Sequence, residues 1–297
     1  MPETVLVVTP SLNQGAYIRQ AIESVLGQDY PWLTYWVVDG GSSDGTRRTL
    51  LEFDGQPRFH WISEPDRGPA HAISKGFSRS QADVLAWLSA DDLYAPGAVR
   101  TALEALRQNP GAVMVSGAVD LIDAQGVPRG SLAQSELSLY DMLKLRRFLP
   151  QPGVFFRQQA YQEAGGLDEM LEFAFDLDLF LRLRRLGQVC YRSSVFAFHR
   201  LHARSKTVSQ HPLLRHEAAH VARRFIASSD IIGIERRELL SRVDIVEAYA
   251  AFQRRSWLLF SWHLARGLVR YPAHLPLLFD RAMELRNGAP DFWIQET

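Results

Sequence analysis

Val84-Leu85-Ala86-Trp87-Leu88-Ser89-Ala90-Asp91-Asp92 drives an apolar run into two adjacent carboxylates. A short apolar run bounded by breakers reads as a strand buried on both faces of a sheet. Its carboxyl end then delivers two negative charges to the edge at which open α/β sheets bind ligands. Side by side, two carboxylates repel one another. A hard divalent cation relieves that repulsion, and a cation attracts phosphates. The stretch therefore predicts an α/β fold with a charged ligand site at the end of this strand.

The chain on either side fits that reading. Val5-Leu6-Val7-Val8-Thr9 is a first apolar β run, and a helix follows over about residues 17–27, with Ile18, Ile22, Val25 and Leu26 at helical spacing. A second strand over 32–38 ends at Asp39, and Gly40 to Gly45 is a glycine-rich turn into the next helix. A third strand spans 59–62, a helix 70–80, and Pro96 to Gln108 is helical with Asn109-Pro110-Gly111 as its stop. Strict alternation over residues 1–120 predicts βαβ units in a mostly parallel, helix-covered sheet. The polar strand exits at Asp39, at Glu64-Asp66-Arg67 and at Asp91-Asp92 share one edge of such a sheet.

After residue 120 the pattern loosens. Strands are expected at 113–121, 153–156 and 189–198, a hairpin turn at 123–126, and helices at 138–147 and 176–186. From His211 onward the sequence is helical in character. The expected division is a catalytic α/β domain over 1–210 and a helical C-terminal region over 211–297.

Composition narrows the function classes. The 297 residues are 46% hydrophobic and 22% charged, ordinary for a globular protein. A formal net charge of zero argues against a general nucleic-acid binder. The single cysteine, Cys190, rules out an internal disulfide framework, and its apolar setting reads as a buried structural thiol. No signal peptide and no bilayer-spanning run is visible, so the expected location is cytoplasmic, with peripheral contact at the inner face of a membrane left open.

The glycine turn is not a dinucleotide-binding fingerprint, because it follows the second strand and opens with an acid. Asp39, at a strand exit, is expected to accept hydrogen bonds from a nucleobase or a ribose. Asp44, directly before Gly45 and a helix, is expected to shape the turn and cap that helix.

A family resemblance rests on motifs that recur in order. They are Val7-Val8-Thr9-Pro10-Ser11-Leu12-Asn13-Gln14-Gly15, Ala21 to Gln28, Val37-Val38-Asp39-Gly40-Gly41-Ser42-Ser43-Asp44-Gly45-Thr46, and Trp61 to Gly68. Trp87 to Asp92, Gln151 to Arg157 and Gly165-Gly166-Leu167-Asp168-Glu169 continue the order. Together they resemble the family 2 glycosyltransferases over roughly residues 4–207. The resemblance implies a GT-A fold, a nucleotide-sugar donor (a UDP-sugar foremost), a divalent metal (Mn²⁺ or Mg²⁺) and inversion at the anomeric carbon. The implied acceptor is a saccharide or a lipid-linked saccharide, in bacterial cell-surface polysaccharide synthesis.

The resemblance also implies roles. Asp39 resembles the acid that reads the base, and Pro10 and Asn13 lie in the loop that resembles the base and ribose wall. Arg67 falls where the family has a basic contact near the nucleotide, and a guanidinium fork suits phosphate oxygens. Asp91 matches the second acid of the D-x-D metal motif, whose first acid is Ser89 here. Asp92 is grouped with the nucleotide contacts, with a metal-bound water and a helix cap left open as other roles. Asp176-Leu177-Asp178-Leu179-Phe180-Leu181-Arg182 resembles the family's E-D-x-D-L-x-x-R segment, which makes Asp176 the general base and puts Phe175 where the first acid stands. Phe175 beside it is expected to raise its pKa by desolvation. Asp178 is read as structural, with Arg182 as its i, i+4 partner. His199-Arg200-Leu201-His202 resembles the family's R-x-H-x-x-S ending, so His202 completes the metal ligands, and Arg204 or Lys206 closes over the diphosphate.

Some features depart from relatives. Gly68-Pro69-Ala70-His71-Ala72-Ile73-Ser74 has His71 and Ser74 where close relatives have Asp and Asn. With Ser89 and Phe175, this keeps open a catalytically weak nucleotide-sugar-binding relative. A sugar nucleotidyltransferase is the alternative from another class, but Thr9 to Gly15 has no Lys or Arg for a triphosphate loop. In the C-terminal region Arg255, His263, Arg266 and Arg270 share one helical face by spacing, with Trp257 and Trp262 nearby. That face reads either as a basic membrane-surface helix or as one packed against protein.

Overall fold

The computed structural model describes residues 2–132, 136–205 and 209–275. They form two compact units, one within 1–136 and 149–205, the other within 137–148 and 206–297. Residues 137–148, which the expected division at 210 places with the α/β domain, group with the second unit. No helix among the described residues is long and apolar enough to cross a membrane.

The first unit runs β1 (Val5–Ser11), α1 (Ile18–Leu26), β2 (Leu33–Asp39), α2 (Thr46–Glu52), β3 (Phe59–Ser63), α3 (Pro69–Phe77), β4 (Val84–Trp87), β5 (Leu93–Tyr94), α4 (Ala98–Gln108), β6 (Ala112–Asp123) and β7 (Pro128–Leu132). α5 (Leu139–Leu143) belongs to the second unit. The first then resumes with β8 (Val154–Arg157), α6 (Gln158–Glu163), α7 (Phe175–Leu186) and β9 (Gln188–Leu201). The strands make one sheet in the order β3-β2-β1-β4-β8-β6-β9-β5, with β7 beside β6. β3, β2, β1 and β4 pair in parallel, as alternation predicts. β8 enters antiparallel between β4 and β6, and β6 and β9 pair in parallel. The sheet is therefore mixed, and its parallel half carries the motifs.

Burial explains that half. All four residues of β4, and Val5 to Val8 of β1, are buried, which is why both read as continuous apolar runs. The chain leaves β1 toward β2 on one side, and β4 returns on the other. That reversal is a topological switch point, where strand ends diverge and leave a crevice. Trp87, at the end of β4, anchors an aromatic cluster with Phe156 at 5.7 Å, Phe180 at 5.8 Å and Phe175 at 6.1 Å between ring centroids. Such pairs add about 0.5–1.5 kcal/mol each beyond area burial. Gly76 lets α3 lie against β1, since a Cβ there would stand 2.5 Å from a Val8 methyl carbon.

The second unit packs α5, α8 (His211–Ala227), α9 (Gly233–Gln253) and α10 (Trp257–Arg270). Ser138 opens α5 with a reciprocal capping box to Asp141, and only 139–143 of the expected 138–147 is helical. Asp244 and Glu247 of α9 are buried and hold the arginines of their neighbours together with His263. Arg223 lies 2.8 Å from Asp244 and 3.0 Å from Glu247, Arg270 lies 3.0 Å from Asp244, and His263 lies 2.9 Å from Glu247. Arg266 bonds Asp244 through Nε at 2.8 Å. Of the expected basic face, His263, Arg266 and Arg270 are thus turned inward onto α9 while Arg255, just before the helix, stays exposed, and the apolar side of α10 meets water. The acid that attracts the two arginines lies a helix earlier, on α9.

Candidate active site

The carboxyl ends of β1, β2 and β3 stand in register, with Ser11 opposite Asp39 and Asp39 opposite Ser63. Asp39 is fully buried. One oxygen accepts from Ser42 N at 2.9 Å and Ser63 Oγ at 2.6 Å, and the other accepts from Ser42 Oγ. Its acid is therefore pre-oriented by its own loop. Asn13 has φ +53°, in the left-handed region that Asn tolerates better than most residues. That turn lets its N–H reach Ser42 Oγ at 2.7 Å while its Oδ1 accepts from Ser43 N at 2.9 Å. Pro10 precedes it on β1, beside Val38. Asp44 accepts from Gly15 N and Thr46 N, both at 2.9 Å, so it ties the two loops and caps α2. Burial acts to raise its pKa, but these bonds and the Thr46 hydroxyl outweigh it and lower the pKa.

Sequence reasoning missed Ser11. Its hydroxyl is buried beside Asp39 and has no hydrogen-bond partner among the described residues. An unpaired buried hydroxyl costs free energy that a bound ligand recovers. A serine inside a motif gives no signal of this until its neighbours are placed.

The acid pair splits into two roles. Asp92 is 1% exposed, and one oxygen accepts from Arg200 N at 2.9 Å while lying 3.0 Å from His199 Nδ1. Burial alone would depress the His199 pKa, but the charge of Asp92 and its hydrogen bond, with Asp91 behind them, hold it up at about 9. His199 is therefore cationic at neutral pH and balances Asp92 internally. Grouped with the nucleotide contacts on sequence, Asp92 is turned inward and braces the His199-Arg200 segment.

Asp91 is left as the carboxylate in need of a partner. Burial first, and the like charge of Asp92 second, raise its pKa, only partly offset by the bond from His202. His202 Nε2 lies 2.9 Å from Asp91 Oδ2, across 111 residues of sequence. His202 Nδ1 accepts from Arg204 N at 3.3 Å, and its ring packs on Tyr17 at 4.8 Å between centroids. The donor set fits a divalent cation with the imidazole proton on Nδ1, a tautomer that gives up the long bond from Arg204 N. Two ligand atoms on adjacent corners of an octahedral ion with bonds of about 2.1 Å lie roughly 3 Å apart. The set also pairs a carboxylate with an imidazole, which suits Mn²⁺. Lys206 lies outside the described residues.

Arg200 underlies this pair and was not singled out as a site residue on sequence. Its guanidinium is buried, donating to Asp91 O at 2.9 Å, Asp123 O at 3.2 Å, Ala124 O at 3.3 Å and Gln20 Oε1 at 2.7 Å. It also lies 5.0 Å over the Tyr17 ring that supports His202. Arg200→Lys keeps the charge but loses the fork, and we expect a loss of about 3 kcal/mol in unfolding free energy. Urea titration of the two proteins measures it.

Asp176 stands in the first turn of α7, with one oxygen accepting from Leu177 N at 2.7 Å. Phe175 packs on Trp87 at 6.1 Å, tying the start of α7 to the end of β4. An aromatic in place of an acid thus supplies an anchor. Asp178 is buried and paired with Arg182, whose Nε lies 2.9 Å from it. Arg182 also donates to Gly166 O at 2.7 Å, so it clamps the 165–169 loop. Arg67 is ion-paired with Glu169 of that loop. Its backbone N–H donates to His71 Nδ1 at 3.0 Å, so the imidazole takes the acceptor role open to a carboxylate at that turn of α3. Cys190 is buried, as expected of a structural thiol.

A family model described as glycosyl transferase family 2 matches residues 6–162. This chain belongs to that family. An uncharacterized glycosyltransferase of Rickettsia conorii is 26% identical over 218 residues, 70% of this chain and 36% of that protein. One from Mycobacterium tuberculosis is 31% identical over 183 residues, 60% of this chain and 68% of that protein. The chain spans about a third of the length of the first curated relatives it matches. Among solved structures, Staphylococcus aureus TarS 1-349 in complex with UDP-GlcNAc superposes with a TM-score of 0.68 at 15% identity, covering 89% of this chain and 79% of that one. The mannosyltransferase PcManGT from Pyrobaculum calidifontis, in complex with GDP-Man and Mn²⁺, superposes with a TM-score of 0.60 at 18% identity, covering 97% and 84%. The fold is therefore GT-A-like, as the motifs imply.

Proposed function

We propose that this protein is an inverting glycosyltransferase that moves a sugar from a nucleotide-diphosphate sugar, a UDP-sugar foremost, to a hydroxyl on a saccharide or lipid-linked saccharide. Its place would be in bacterial cell-surface polysaccharide synthesis. The observation that carries the reading is the 2.9 Å approach of His202 Nε2 to Asp91 Oδ2, while Asp92 is neutralised internally. TarS bound to UDP-GlcNAc and PcManGT bound to GDP-Man and Mn²⁺ support the donor class.

In this reading Asp39, with the Pro10–Asn13 loop, takes the base and ribose, and Arg67 leaves Glu169 to meet the diphosphate. Asp91 and His202 would hold a divalent cation, which when bound supplies positive charge against the leaving diphosphate. Asp176 removes the proton of the acceptor hydroxyl as that oxygen bonds to the anomeric carbon and the bond to the diphosphate breaks. Arg200 holds the Asp91 backbone and, with His199, the Asp92 carboxylate while charge shifts.

Thermal unfolding with a panel of nucleotide-sugars tests the reading. At saturation with Mn²⁺, at least one donor is expected to raise the melting temperature by about 5 °C, and less without the metal. If no member of the panel shifts it, the reading fails.

A further inference from the structure

α10 presents an apolar face that the described residues leave uncovered. Trp257, Leu258, Ser261, Trp262, Ala265 and Val269 follow one side of the helix at spacings of three, four and five residues or as direct neighbours. Leu258 is 88% exposed, Val269 77%, and Trp257 and Trp262 61% each. The arginines of the same helix, Arg266 and Arg270, are turned the other way, onto Asp244, and His263 lies beside Glu247. The outward side therefore carries no charge. Soluble surfaces scatter such residues singly; a run of them along one helix marks a contact.

Charge at both ends favours one kind of contact. No Asp or Glu occurs between 248 and 275. Arg254 and Arg255 are exposed just before the helix. Beyond its other end, buried His274 has its pKa lowered by burial first and then by Arg242, Lys144 and Arg146 against the opposing charge of Glu238, so three cations and one acid stand near it. Lys144, Arg146 and Arg147, with Asp141, line a cavity of about 180 Å³. Two tryptophans and a leucine between basic ends match a helix lying at the headgroup level of a bilayer.

A second copy of the chain is the weaker fit. Fourteen helical residues are about 21 Å long and about 10 Å wide, a face on the order of 200 Å². A stable dimer buries roughly 800 Å² per partner. We infer that the outward face of α10 seats the protein on an anionic lipid surface. This inference stands on the second unit alone and does not depend on the glycosyl-transfer reading.

Flotation of the full chain with phosphatidylglycerol vesicles and, separately, with phosphatidylcholine vesicles tests it. The protein is expected to float with the first and not the second. The double substitution Leu258→Asp with Trp262→Asp is expected to lower the bound fraction roughly tenfold or more, at an unchanged melting temperature. The milder pair Leu258→Ser with Trp262→Ala should lower it in the same direction. Arg254→Ala with Arg255→Ala is expected to lower it roughly fivefold per charge removed. Absence of flotation, which is the result if another segment or subunit covers the face, overturns the inference. So does equal flotation with the neutral vesicles, unchanged flotation of both apolar variants, or a concentration-dependent dimer that those variants abolish.

Discussion

Asp91→Asn is expected to lower nucleotide-sugar turnover by about 10²–10³-fold without lowering stability. The two halves of that result have separate causes. Asn keeps the size of Asp but removes the negative charge that a cation and the leaving diphosphate require. Stability moves the other way, because burial and the like charge of Asp92 already raise the Asp91 pKa, so the folded state disfavours its charged form. A neutral side chain relieves that penalty. Melting curves of the two proteins without metal should coincide, or the variant should melt higher. With Mn²⁺ and donor, the native protein gains stability and the variant does not. A loss of turnover accompanied by unfolding would instead put Asp91 in the scaffold.

Asp176→Asn is expected to reduce turnover by about 10²–10⁴-fold while leaving the donor-induced melting shift intact. The carboxylate has one task in this account, removal of the acceptor proton, and that task follows donor binding. Asp178, two residues on, is the internal control. It is buried and committed to Arg182, which in turn holds the 165–169 loop, so its replacement should lower stability first. Turnover of Asp176→Asn within a few-fold of the native protein would move the base elsewhere. Loss of the donor shift would make Asp176 a binding residue.

The parallel half of the sheet was legible because each of its strands is a short local apolar run with a polar exit, and those exits define one edge. β5 was not. Leu93-Tyr94 is too short to carry a period, and it exists by pairing with β9, whose Ala197 and Phe198 lie a hundred residues away. The antiparallel entry of β8 between β4 and β6 was hidden for the same reason, since partner and direction are properties of the assembled sheet. In the site, motif order pointed to Asp91 and His202, and the structure brings them within hydrogen-bond reach. It did not separate Asp92 from Asp91, because that separation comes from His199 and Arg200, which arrive from the far end of the fold. Spacing gave the basic face of α10 but left its contact open between membrane and protein, because the acids that receive it are on α9. A helical face of Arg and His means solvent or membrane only when no acids stand opposite it.

The most direct test of metal-assisted sugar transfer at Asp91 and His202 is release of nucleoside diphosphate from a panel of nucleotide-sugars, with Mn²⁺ and again after chelation. The account predicts release from at least one donor with the metal, loss of that release on chelation, recovery on adding Mn²⁺ back, and no recovery in the His202→Ala protein. Release that is equally fast after chelation, or undiminished in His202→Ala, would contradict it.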